Sequence, residues 1–105
     1  MRSLNPEDYA KDELVCVRCG GREVWLSERL FRRLVWIGRA YELHLLPLLE
    51  EDRSLNAVQA EALGAELAFV GAIFADAALG ALLSLLMPVV QASTQTGAEI
   101  RVEWP

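Results

Sequence analysis

The sequence predicts an α+β domain in which a small sheet packs on helices, in the element order ββαααβ. Three observations carry that expectation. Toward the C-terminus, Ala98 to Trp104 alternates strictly, placing Ile100, Val102 and Trp104 on one side and Glu99, Arg101 and Glu103 on the other. That period of two belongs to a half-buried strand. Toward the N-terminus, β-branched and aromatic residues flank Gly20-Gly21, a hairpin signal. Between these, three stretches repeat apolar residues at spacings of three and four, the period of a helix face. A lone strand is not stable in water, so the C-terminal strand is expected to join the hairpin in one sheet.

A chain of 105 residues has room for one domain, and a hydrophobic fraction of 53% excludes a disordered one. Residues 1–12 are polar, contain Pro6 and show no period. They are expected to form an arm that docks through Leu4 and Tyr9 or stays mobile, ahead of a domain at 13–105.

The hairpin is expected to run from Leu14 through Cys19-Gly20-Gly21 to Leu26. Ser27 can cap a first helix, whose Leu30, Leu34, Ile37, Tyr41, Leu45 and Leu48 continue the helical spacing to about Leu49. Pro47 removes one backbone bond, so a kink or an early end is expected near His44. Glu50-Glu51-Asp52-Arg53 reads as a solvated turn. Ser54 or Asn56 can cap a second helix with two stripes, one of Leu63, Leu67, Val70 and Phe74, the other of Ala60, Gly64, Ala68 and Gly71. Small residues allow close approach, so Gly64, Ala68 and Gly71 are expected to form the seam of a homodimer. The third helix, Ala77 to about Gln91, is apolar nearly all round, and Gln91 to Gly97 reads as a polar connection.

Leu67 to Ala92 has only Asp76, Ser84 and Gln91 as polar interruptions, and about 20 apolar residues suffice to span a bilayer. Against a span, Asp76 sits near the middle, where a carboxylate costs about 2.5–3.5 kcal/mol on insertion scales. It also precedes Ala-Ala-Leu as a helix cap would, and no basic cluster flanks the run. Two core helices broken at Asp76 are expected; a small membrane-associated protein acting through residues 67–92 is the alternative.

The net charge is −5, and from residue 54 onward Glu61, Glu66, Asp76, Glu99 and Glu103 face Arg101 alone. Such a field disfavours nucleic acid and favours basic proteins. The cysteine density fits a reducing, cytoplasmic setting. Cys16-Val-Arg-Cys19 resembles one knuckle of a zinc ribbon, half of a tetrahedral site, but His44 is the one other soft or nitrogen ligand, so no metal and no cofactor is expected unless two chains share a site. The third helix has no basic or amide side chains to read a groove until its end. No G-x-S-x-G, H-E-x-x-H, P-loop or G-x-G-x-x-G occurs, and Glu61 and Glu66, five apart on a helix, diverge; no enzyme is expected. Arg29, Arg32, Arg33 and Arg39 with Trp36 make a basic, aromatic patch whose expected partners are Glu28, Glu42 and the N-terminal acids.

In size, acidity and lack of a catalytic motif the chain is similar to immunity proteins and antitoxins. The function expected is that of a small non-enzymatic protein-binding domain for a basic partner. Glu50, Glu51, Asp52 and Glu61 would steer that partner, and Trp36 would anchor it. The alternatives are a homo-oligomeric helical adaptor and a metal-stabilised or redox protein built on Cys16 and Cys19.

Overall fold

Strands β1 (Leu14–Cys19) and β2 (Arg22–Ser27) form the expected hairpin, paired from Leu14 opposite Ser27 to Cys19 opposite Arg22. The computed structural model describes residues 13–105, so the arm expected at 1–12 lies outside the described residues. Of the two turn residues only Gly20 takes a positive φ, +60°, a conformation glycine adopts without steric cost. The other edge of β1 pairs with β4 (Ile100–Glu103), and the far edge of β4 with β3 (Arg53–Leu55). The sheet is antiparallel throughout, in the order β2-β1-β4-β3.

The alternation read in the sequence sets which face is covered. Val15, Val17, Cys19, Leu26, Leu55, Ile100 and Val102 are buried under the helices. α1 (Glu28–Ala40) contributes Leu30, Phe31, Leu34 and Val35, and α3 (Ala77–Thr96) contributes Leu79, Leu82, Leu86, Val89 and Val90. A fully buried side chain of this kind stabilises by about 1.5–3 kcal/mol. α2 (Ala57–Ile73) lies alongside α3, which it meets through Ala60, Leu63, Leu67 and Val70.

Capping residues punctuate the helices. Ser27 accepts the Leu30 N–H at 3.2 Å. Asn56, not Ser54, caps α2: its side chain accepts from the Gln59 N–H and the Gln59 side chain accepts from its own N–H. Asp76 accepts from the Leu79 N–H at 3.0 Å and from Arg33 Nη1 at 2.6 Å. Burial pushes the Asp76 carboxyl up, yet those two donors outweigh it and hold the group below its ordinary value. The apolar run is therefore two helices parted at Phe74–Asp76. By length and composition α3 is apolar enough to cross a membrane, and in this fold it lies against the sheet and both other helices.

Three boundaries differ from expectation. α1 ends early, at Ala40, ahead of the break expected near His44 and short of Leu49. There the Tyr41 N–H bonds Ile37, the Leu43 N–H returns to the Gly38 carbonyl, and Glu42 takes φ +56°. The reversal presses a 3₁₀ segment, Leu46–Glu50, onto α1 so closely that a Cβ on Gly38 would stand 2.5 Å from the Leu46 Cβ. Pro47 sits in the first turn of that segment, where its missing N–H costs nothing. Second, part of the expected solvated turn is β3, which begins at Arg53. Third, the expected polar connection after Gln91 is helical to Thr96, and Gly97 ends α3 with φ +79°. Hydroxyls there return to the backbone, Thr94 to Gln91 at 2.8 Å and Thr96 to Ala92 at 2.7 Å, so polar residues extend the helix.

Candidate functional site

α2 is apolar on two opposed faces, and only one of them is covered. Inward lie Ala60, Leu63, Leu67 and Val70, all buried. Outward lie Val58, Ala62, Ala65, Phe69 and Ala72, at spacings of four, three, four and three, with Ile73 beside them; all are exposed, Val58 at 78%. A helix that is apolar all round is ordinarily buried all round. Tyr41 extends the patch beyond the helix, its ring edge-on to Phe69 at 5.6 Å and to Phe74 at 6.0 Å. Little charge interrupts it. Of the two charged residues in α2, Glu66 turns to the 3₁₀ segment and accepts the N–H groups of His44 (3.1 Å), Leu45 (2.9 Å) and Leu46 (2.9 Å). Glu61 is exposed.

The small residues of α2 serve α3. A Cβ on Gly64 would stand 3.5 Å from Val90 Cγ1, and one on Gly71 would stand 3.4 Å from Leu83 Cδ1. Both distances are ordinary van der Waals contact, so these two positions face α3 of the same chain; Ala68, between them in sequence, is exposed. The outward stripe was missed by sequence reasoning, although its four-three repeat could have been read directly from Val58, Ala62, Ala65 and Phe69.

The acidic turn is partly engaged within the fold. Glu50 pairs with Arg39. Asp52 accepts the Trp104 N–H at 2.7 Å, and Glu51 is the most open, with a 78% exposed side chain 3.9 Å from Arg53. Together with Glu28, Arg32 and Trp104, these three acids line an open groove of about 430 Å³. Trp104 packs edge-on against Phe31 at 5.4 Å, lies under the Arg32 guanidinium at 4.8 Å and donates from Nε1 to the Leu49 carbonyl at 3.0 Å. Glu61 does not join this group; it borders a different groove, between α2 and α3, with Gly64 and Val90.

Trp36 is 61% exposed, beside Arg29, Arg32 and Arg33. Arg32 pairs with the expected Glu28 at 2.9 Å, whereas Arg33 and Arg39 pair with Asp76 and Glu50. A second exposed indole, Trp25 on β2, was not anticipated.

Cys16 and Cys19 are three apart on a strand and so point to opposite faces of the sheet. Cys19 faces the helices and donates to the Ala98 carbonyl at 3.5 Å. Cys16 lies on the other face, between its cross-strand neighbours Trp25 and Glu103, where burial pushes its thiol pKa up. Both are free thiols, and they do not converge on one ion. Among the described residues no group of three or more His, Cys, Asp or Glu side chains could hold a metal. His44 is exposed and enters the Glu66 interaction through its backbone.

No protein-family model matches the sequence, and no curated protein or solved structure matches it.

Proposed function

We propose that this is a non-enzymatic protein-binding domain that works by burying the outward face of α2 in a contact with protein. The observation that carries the reading is the second apolar stripe, Val58, Ala62, Ala65, Phe69 and Ile73, left uncovered on a helix whose opposite face already fills the core. Apolar patches of this continuity on small domains mark contact surfaces. The carboxylates that might have served chemistry support the same reading, because Glu66 and Asp76 are spent on capping backbone N–H groups. A photo-cross-linking residue at position 62 tests it. The expected result is a protein adduct formed in cells and lost when Phe69→Glu is added; failure to form any adduct overturns the proposal.

A second reading draws on the groove lined by Glu28, Arg32, Glu50, Glu51 and Asp52, where the carboxylate of Glu51, the least engaged within the fold, suits one basic side chain of a partner. On that reading Glu51→Lys slows association with the partner at low salt and leaves stability unchanged. An unchanged association rate overturns it.

A further inference from the structure

The stripe on α2 also constrains what covers it, and this inference rests on the association reading above. We propose that α2 pairs with α2 of a second copy of this chain, antiparallel, about a two-fold axis passing near Ala65. Four features of the stripe argue for it.

Its four-three spacing is the repeat by which one helix packs along another, so the natural occupant is a helix. Its sizes are self-complementary. Large residues, Val58 and Phe69, alternate with small ones, Ala62, Ala65 and Ala72, and Ile73 lies beside the far end. Reversed about Ala65, Phe69 of one copy falls near Ala62 of the other, and Val58 falls over Ala72 with Ile73 at its side. An isologous contact needs this large-on-small matching of one patch with itself.

Charge selects the same arrangement. A chain of net charge −5 repels its own copies, and contact costs least where no carboxylate stands. The stripe is uncharged, which gives a basic partner nothing to pair with there. Glu61 flanks it, and the antiparallel pair separates the two Glu61 side chains by about 12 Å along the axis. That exceeds the Debye length of about 8 Å at physiological salt.

Length sets the strength. α2 has 17 residues, which limits the seam to about 26 Å. Association in the micromolar range is expected.

Sedimentation of the full chain from roughly 1 to 500 µM tests the proposal. A monomer–dimer equilibrium is expected, weakened at least tenfold by Phe69→Glu and unchanged by Trp36→Ala. Direction is read by cross-linking single-cysteine variants with a short bis-maleimide, the natural thiols being 3% exposed. Ala65→Cys should link to itself. Val58→Cys alone should not, because its two copies lie about 21 Å apart, but a mixture of Val58→Cys and Ile73→Cys chains should link. Self-linking of Val58→Cys, or a monomer at every concentration, overturns the proposal. A monomer that still forms Phe69-dependent adducts with other proteins at position 62 overturns self-pairing and leaves the association reading standing; a monomer with no adducts removes both.

Discussion

Asp76 joins three parts of the chain at one carboxylate: it ends the apolar run, starts α3 and ties both to Arg33 of α1. Because the folded state holds Asp76 below its unfolded value, its charge stabilises fully above the ordinary carboxylate range of about 4, and that contribution is lost as pH falls through the lowered folded value. Asp76→Asn keeps a capping oxygen and loses the charge. A calorimetric series should show wild type more stable at pH 7 by about 1 kcal/mol or less, with the gap closing as pH falls through the lowered folded value. Gly38→Ala should cost more, about 1–3 kcal/mol in chemical denaturation, since the new Cβ meets the Leu46 Cβ and the 3₁₀ segment must move. Of these two residues only Asp76 was legible in the sequence. A cap is a relation between near neighbours, whereas the need for glycine at 38 arises from a segment that folds back on it.

At the scale of elements, Glu66 shows how the chain fixes a piece that has little propensity of its own. The 3₁₀ segment is short, and α2 supplies one carboxylate both for its first N–H, that of Leu46, and for the two that lead into it, those of His44 and Leu45. Glu66→Ala should therefore raise amide exchange at Leu45 and Leu46 by about tenfold or more, while amides in the middle of α3 change less. Equal loss at both places would mean that Glu66 supports the whole fold and not this junction. The hairpin, the C-terminal strand and the starts of all three helices could be read from periodicity and caps. The 3₁₀ segment and β3 could not, for β3 is three residues long and is a strand because Leu55 lies opposite Ile100. In β1, the opposed cysteines should both titrate as free thiols after air oxidation, and chelation should leave the melting temperature unchanged; a fall of several degrees would restore the shared metal site to consideration.

Across the whole molecule, Trp104 fastens the end of the sheet to α1 and to the 3₁₀ segment through Phe31, Arg32 and the Leu49 carbonyl. Trp104→Ala should destabilise by about 2–4 kcal/mol in urea, and Trp104→Phe, which restores the ring but not the Nε1 donor, should recover part of that loss. The fold class was legible in the sequence, but strand order was not, because which edges pair is decided by partners far apart in the chain. The strand latest in sequence, β4, takes an inner place with β1 on one side and β3 on the other. On the ribosome, a nascent chain that has not yet released residues 100–103 thus holds a hairpin with both edges bare and a third strand with no neighbour, since closing loops of that length precedes any reward from pairing. The sheet closes only once β4 is free to pair, and the same exposed edges reappear whenever β4 detaches.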